Sequence, residues 1–355
     1  MNHIIFFSGG LNSFSTADYV KEKYPNDNIL LYFTDTLWEN EDLHRFINEA
    51  SDKMKLPLLM HSAGINPMQL MFEKKLVFNN MIGECSKVLK TKVAANFLKK
   101  GIKPPIEKWR NKQYLKNDDF TTEATLYFGI GFDEMHRQGP IQKNWKPFQV
   151  EMPLIDNYID NTAILKKYNI RQPILYDLGF SHNNCNATCV KAGHGHYKNL
   201  LEKMPDVFYK IMEQEHYIKL YVSSYRYIIN TDLPEEDIIP EHVQEVMLEE
   251  LDDAYRDYFY GRAKKPKPFI HPSASAAPKY FEIQQYAFMK KTVNGETKPY
   301  PIRELMYDIQ GKPFNTYGLN LELEQERQMT IFDFISRKPE VDIYDIGGCG
   351  CSFAE

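Results

Sequence analysis

The sequence predicts an α/β fold: a doubly wound parallel sheet with helices on both faces, followed by a mainly helical C-terminal extension. Three observations carry this expectation. Short apolar runs recur between residues 3 and 130, helix-period segments lie between them, and the runs end in glycine or small polar residues. His3–Phe7 has the length and apolarity of a buried strand, and Gly9-Gly10 closes it with a tight turn. Ser13–Lys23 then reads as a helix that turns Phe14, Ala17 and Val20 toward the core. Asn28–Thr34 is the second strand. Asn40–Lys53 is a helix with Leu43, Phe46, Ile47 and Ala50 on one face. Leu56–His61 is the third strand, Pro67–Phe72 opens another helix, and Lys87–Lys100 is amphipathic and basic. Glu123–Ile130 is the fourth strand, with Gly129 and Gly131 at its end. Strands separated by helices imply parallel pairing, which places a ligand site at the carboxyl ends of the strands.

Outside this alternation the pattern changes. Lys108–Phe120 is polar, basic and aperiodic, so a surface loop is expected. Trp145–Asp156 reads as extended, and Asn161–Tyr168, Tyr197–Val222 and Pro240–Tyr260 read as helices. The organisation expected is a nucleotide-binding α/β domain over 1–225 and an extension over 226–355. A linker rich in Pro, Ser, Ala and Lys runs near 264–278, a helix-like stretch follows at Gln325–Ile335, and the extension ends in a Cys-Gly-Cys tail. No internal repeat is present.

Composition narrows the function classes. A hydrophobic fraction of 43% with 26% charged residues is that of a globular protein in water. The formal net charge of −5 argues against a broadly basic nucleic-acid surface, though a local basic channel remains compatible with it. No stretch reaches the apolar length of a membrane span, and the start lacks a signal-peptide pattern, so no membrane partner and a cytoplasmic location are expected. Five cysteines, four of them in two close pairs, suggest metal or redox chemistry rather than a disulfide framework.

The stretch Phe7-Ser8-Gly9-Gly10-Leu11-Asn12-Ser13 joins a strand to a helix N-terminus through small residues. Backbone N–H groups and the helix dipole converge there, which suits a phosphate or sulfate group. An ordinary βα turn that needs positive φ uses the same residues. Ser8-Gly9-Gly10-x-x-Ser13 resembles the signature of the PP-loop family, the ATP pyrophosphatases and adenylylsulfate reductases, with Asn12 where Asp is common. Thr34-Asp35-Thr36 resembles the family's element beside the adenosine; as plain structure Asp35 is a turn or helix cap. Gly83-Glu84-Cys85-Ser86-Lys87-Val88-Leu89-Lys90 resembles the Cys-Thr-x-x-Leu-Lys element of the branch similar to phosphoadenylylsulfate (PAPS) reductases. Lys87 and Lys90, three apart, are expected on one helix face toward an anionic ligand, whereas Lys92, Lys99 and Lys100 read as a solvated basic face. Gly129-Ile130-Gly131-Phe132-Asp133-Glu134 with Arg137 resembles a Gly-Ile-Arg-x-Asp-Glu element, with Gly131 in place of its Arg. Arg137 is then the substitute cation, and the carboxylates hold Mg²⁺ or cap a helix.

Gly179–His194 contains Asn183-Asn184-Cys185-Asn186-Ala187-Thr188-Cys189-Val190-Lys191-Ala192-Gly193 and is similar to a segment of uncharacterised PAPS reductase-like proteins, many from phages and mobile elements. A Cys-x₃-Cys pair brings two sulfurs within reach of one ion. With Cys85, whose family counterpart sits near the pair in cluster-bearing relatives, the resemblance implies an iron–sulfur cluster or Zn²⁺. Cys349, Cys351, His194 and an exogenous sulfur are the alternatives for the fourth ligand. Cys349 and Cys351 have a second reading as mobile nucleophiles, similar to the tail cysteine of PAPS reductases. Gln328-Met329-Thr330-Ile331-Phe332 resembles a peptide that docks on sliding clamps; an amphipathic turn packed on the core explains the same residues.

The resemblance implies an adenine nucleotide, ATP or PAPS, with Mg²⁺. The reaction expected is adenylation of an acceptor (tRNA, DNA or a small molecule) with loss of pyrophosphate, in support of sulfur transfer. The alternatives are reduction of PAPS by a tail cysteine, and a non-catalytic nucleotide-binding or clamp-associated protein.

Overall fold

A computed structural model describes residues 1–79, 82–270 and 286–312. Cys349, Cys351, Gln328–Phe332, the helix-like stretch Gln325–Ile335 and residues 271–278 of the linker lie outside the described residues. In chain order the elements begin with β1 (Asn2–Phe6), α1 (Leu11–Lys23), β2 (Asn28–Thr34), α2 (Glu41–Met54), β3 (Leu58–Ser62) and α3 (Pro67–Lys74). Then follow a π-helical stretch Ser86–Thr91, α4 (Lys92–Lys100), β4 (Ile106–Arg110), β5 (Ala124–Phe128), α5 (Gln138–Asn144), β6 (Gln149–Glu151) and α6 (Pro153–Asp156). The series continues with α7 (Asn161–Tyr168), α8 (Ile174–Asp177), α9 (His194–Lys203), α10 (Pro205–Ile228) and α11 (Glu241–Phe259). It closes with β7 (Met289–Val293), β8 (Glu296–Tyr300) and α12 (Ile302–Gln310).

Two compact units emerge from the packing. The first holds Met1–Pro67 and Glu84–Cys189; the second holds Met68–Gly83 and the described residues from Val190 onward.

The first unit is the expected α/β layer structure. Its sheet has the order β4-β3-β2-β1-β5-β6, parallel throughout except for β4. From β1 the chain winds outward through β2 and β3, then returns to place β5 on the other side of β1. The winding therefore reverses between β1 and β5, and a crevice opens at their carboxyl ends. Alternation along β1 separates the two cores. Ile5 and Phe7 join Phe14, Leu31, Phe33, Leu43, Phe46, Ile47 and Ile164 on the face covered by α1, α2 and α7. Ile4 and Phe6 join Leu30, Tyr32, Leu59, Ala94, Leu98, Ile141 and Trp145 on the face covered by α4 and α5.

Three sequence expectations are corrected here. Lys108–Phe120 is not a loop throughout: Ile106–Arg110 forms the antiparallel edge strand, in register with β3 from Leu58↔Arg110 to Ser62↔Ile106. Its polarity is that of an edge, where charged residues face water and pair sideways. Arg110 holds both oxygens of Asp52 at 2.8 and 2.6 Å, and Glu107 reaches Nε2 of the buried His61 at 3.0 Å. His61 in turn meets the Tyr32 hydroxyl at 3.0 Å, and burial lowers its imidazole pKa against the pull of Glu107. Tyr197–Val222 is not one helix. Met204 leaves the helical region at φ −140° and ψ 62°, and Pro205 starts α10 at its first position, where the missing N–H costs nothing. Trp145–Asp156 is extended as a strand only at Gln149–Glu151, because Pro153 opens the one-turn α6.

The second unit is mainly helical, with the hairpin β7–β8. Phe72 of α3 packs on Tyr221 of α10 with centroids 4.7 Å apart, and Phe259 of α11 lies 5.4 Å from Phe72. Lys75 completes this aromatic core by bonding the Tyr221 hydroxyl at 2.9 Å and Asp252 at 3.1 Å.

Candidate functional site

The site begins where β1 ends. Gly9 takes φ +79°, and a Cβ there would stand 2.9 Å from Leu43 Cγ, so glycine is needed for backbone shape and for packing. Gly10 is extended and caps α1 without a side-chain hydrogen bond, and no acidic residue occupies the first turn of that helix. Ser13 Oγ donates to the Gly10 carbonyl at 2.8 Å, and Ser8 Oγ to Ser13 Oγ at 3.3 Å. The Leu11 N–H reaches the Tyr176 hydroxyl at 3.4 Å; burial raises the pKa of that phenol, which keeps it neutral beside an anion. Two hydroxyls and a helix amino terminus thus converge on one small-residue turn.

The end of β5 closes the other side of the crevice. A Cβ on Gly129 would lie 2.6 Å from the Ser13 backbone nitrogen, so glycine alone lets this strand end approach α1. Gly131 lies between Asp133 and Asn12: its missing Cβ would be 2.9 Å from Asp133 Oδ1 and 3.7 Å from Asn12 Nδ2. Arg137 forms an ion pair with Glu134, while its Nε is buried without a hydrogen-bond partner.

Beyond β2, Asp35 Oδ1 accepts the Leu37 N–H at 2.8 Å, and Oδ2 stands 3.8 Å from His44 Nε2. The turn-capping role weighed for Asp35 is therefore present. Sequence reasoning missed the next acid. The Glu39 side chain is fully buried; it accepts from Thr36 Oγ1 at 2.9 Å and from the Cys185 backbone N–H, and it stands 3.7 Å from Lys90 Nζ.

Glu39 explains the Cys185–Cys189 turn. Cys185, Asn186 and Ala187 take φ of 56°, 48° and 58°, three consecutive non-glycine residues in the left-handed region. Each costs about 1–2 kcal/mol there, so the turn needs outside support. Asn40 supplies some: its Oδ1 caps α2 by accepting the Asp42 N–H at 2.8 Å, and its Nδ2 donates to Asn186 Oδ1 at 2.7 Å. Trp38 Nε1 donates to Thr188 Oγ1 at 2.7 Å, and that hydroxyl donates to the Cys185 carbonyl at 2.7 Å. Asn183 Nδ2 donates to the Gly9 carbonyl at 3.0 Å, which ties the turn to the small-residue loop. Asn183 Oδ1, Asn184 Oδ1 and Ser86 Oγ are buried without protein partners, as expected of polar atoms that await a ligand or water.

The structure separates Lys87 from Lys90. A π-helical stretch from Ser86 to Thr91 widens the turn, leaving Lys90 buried beside Glu39 and Lys87 exposed, 3.6 Å from Glu84. Cys85, Cys185 and Cys189 are all buried. His194 belongs to the second unit, where a ring nitrogen engages the Lys290 carbonyl at 2.7 Å. Among the described residues, no group of three or more His, Cys, Asp or Glu side chains is placed to hold a metal ion. The cluster or zinc site implied by Cys85, Cys185, Cys189 and His194 therefore does not fit these positions, and no chemistry is derived through it.

Sequence comparison agrees with the geometry. Residues 2–106 match the family model described as the phosphoadenosine phosphosulfate reductase domain. That segment runs from β1 to the start of β4, and so includes the Ser8–Ser13 turn, Asp35, Glu39 and the Cys85–Lys90 stretch. No curated protein and no solved structure matches the chain. Among the described residues no helix is long and apolar enough to cross a membrane. Small-residue loop, switch-point crevice and family match agree: residues 2–106 are a PAPS reductase-like domain of the PP-loop superfamily, at the head of a nucleotide-binding α/β unit.

Proposed function

We propose that the first unit binds ATP with Mg²⁺ at the Ser8–Ser13 turn, adenylates an acceptor and releases pyrophosphate, in support of sulfur transfer. The observation that carries this reading is the loop itself: an uncapped helix start, two serine hydroxyls and glycines packed against both β1 and β5. The helix start and the hydroxyls hold the β- and γ-phosphates. An acceptor oxygen attacks the α-phosphorus, the bond to the bridging oxygen breaks, and pyrophosphate leaves with that electron pair. A sulfur nucleophile then displaces AMP from the activated acceptor. Lys90 is buried beside Glu39, so its role is to fix the loop after β2 and the cysteine turn, while Arg137 with Asp133 faces the crevice from the β5 end. Gly131, which stands where reductase relatives carry Arg, favours adenylation over attack on a sulfonucleotide.

Product analysis tests the reading. The chain is incubated with ATP, Mg²⁺ and a sulfide donor, in turn with bulk tRNA, DNA and a small-molecule pool. AMP and pyrophosphate in equal amounts are the expected products. ADP as the sole product contradicts the proposed attack at the α-phosphorus, and sulfite release from PAPS assigns the reductase reaction instead.

A further inference from the structure

The second unit carries a buried polar cluster that the nucleotide reading leaves unused. Glu215, Lys219 and Ser223 follow one another at four-residue spacing along one face of α10 and are 1%, 4% and 1% exposed. Arg303, in the first turn of α12, is 7% exposed and acts electrostatically on both Glu215 and Lys219. Glu215 does not pair with it side on, because its two oxygens accept the backbone N–H groups of Phe288 at 2.8 Å and Ile302 at 2.7 Å. Burial also raises the carboxyl pKa of both Glu215 and Glu304, which weakens the negative charge available to the cations.

What remains is a guanidinium edge with nothing on it. Arg303 Nε and Nη2 are buried without hydrogen-bond partners, and so is Ser223 Oγ. Those two nitrogens form the side of arginine that receives two oxygens at once. Elsewhere in the chain the same edge is filled. Arg45 Nε and Nη2 hold the two oxygens of Asp42 at 2.6 and 3.0 Å, and Arg110 holds those of Asp52 at 2.8 and 2.6 Å. Buried without an acceptor, such an edge has lost its bonds to water and gained none in return. Lys219 adds a second cation one helical turn from Ser223; burial lowers its pKa to about 8, and an anion beside it would restore the charged form.

We propose that Arg303, Lys219 and Ser223 form a binding site in the second unit for a tetrahedral oxyanion, either inorganic phosphate or sulfate or the phosphoryl or sulfuryl end of a larger ligand. Two oxygens meet Arg303 Nε and Nη2. The others are left for the Ser223 hydroxyl and the Lys219 ammonium, more donors than a planar carboxylate would engage.

Calorimetric titration of the full chain with inorganic phosphate reads this site. Arg303→Lys removes the two-donor edge, so phosphate affinity falls about tenfold or more while ATP affinity is unchanged. Ser223→Ala is a change small enough to leave folding intact and keeps the test decidable if Arg303→Lys unfolds; it weakens phosphate about threefold to tenfold. Gly10→Val, directed at the first unit, leaves this phosphate bound. Sulfate competes and acetate does not. Equal phosphate binding in the wild type, Arg303→Lys and Ser223→Ala overturns the proposal. Displacement by acetate overturns the tetrahedral assignment in favour of a carboxylate.

Discussion

Two stretches of backbone in the first unit leave the right-handed region, and they are held in opposite ways. The Ser8–Ser13 turn does so once, at Gly9 with φ +79°, where no side chain is strained. Cys185, Asn186 and Ala187 do so three times in a row without a glycine. The first turn is held by its neighbours in sequence, through bonds such as Ser13 Oγ to the Gly10 carbonyl. The second is held by residues 146 to 174 positions away, through Glu39, Asn40 and the Gly9 carbonyl. Strain that only distant partners can maintain marks a turn whose shape depends on the fold being complete. The cysteine turn is therefore a readout of the loop after β2 as much as an element of its own.

Glu39→Ala should break the comparison most severely. It removes the acceptor for the Cys185 N–H and leaves Lys90 buried without its carboxylate, a change expected to cost about 3–5 kcal/mol. Urea unfolding followed by circular dichroism reads the loss. A cost below that of an exposed ion pair would mean that the turn is held elsewhere. Gly129→Ala comes next. The added Cβ meets backbone at 2.6 Å, which cannot swing aside, so about 1–3 kcal/mol and much of the ATP affinity are lost together. Destabilisation without loss of ATP binding would separate the β5 end from the site.

A paired exchange then sharpens the contrast. Gly9→Ala should destabilise by about 1–2 kcal/mol, because alanine is forced to positive φ. Ala187→Gly should stabilise by about 0.5 kcal/mol, since relief of the left-handed penalty exceeds the entropy that glycine adds to the unfolded chain. Thermal melts of both variants are the check. Destabilisation of equal size in the two would show that Ala187 is chosen for its packing rather than endured despite its backbone.

What was legible in the sequence follows the same division. β1, Gly9-Gly10 and α1 could be read because apolar run, glycine and helix period lie side by side within residues 2–23. The carboxyl-end crevice followed from the alternation, and β5 with Gly129 was found by its apolar run. Glu39 was not legible. An acid between Trp38 and Asn40 looks like solvent-exposed loop until the fold buries it against a cysteine turn far along the chain. Lys87 and Lys90 were read with α-helical spacing, and the π-helical stretch moved one inside and left the other out. The edge strand β4 was hidden because its charges looked like a loop, when their partners Asp52 and His61 belong to other elements. Tyr176 and Asn183 reach the loop from more than 160 residues away, a distance over which sequence pattern carries no signal.

The central claim is that the Ser8–Ser13 turn receives the phosphates of an adenine nucleotide. Gly9 is a poor probe of it, because a side chain there strikes Leu43 in the core rather than the cradle. Gly10 is the better position: its backbone is extended, which any residue can adopt, and its missing Cβ faces Ser8 Oγ at 3.6 Å and the Tyr176 hydroxyl at 3.2 Å. Calorimetric titration of ATP onto the wild type and Gly10→Val, with circular dichroism to confirm an unchanged fold, is the direct measurement. The account predicts saturable binding in the wild type and at least about a tenfold loss of affinity in the variant. No binding by the wild type, or equal affinity in a folded Gly10→Val, would contradict it.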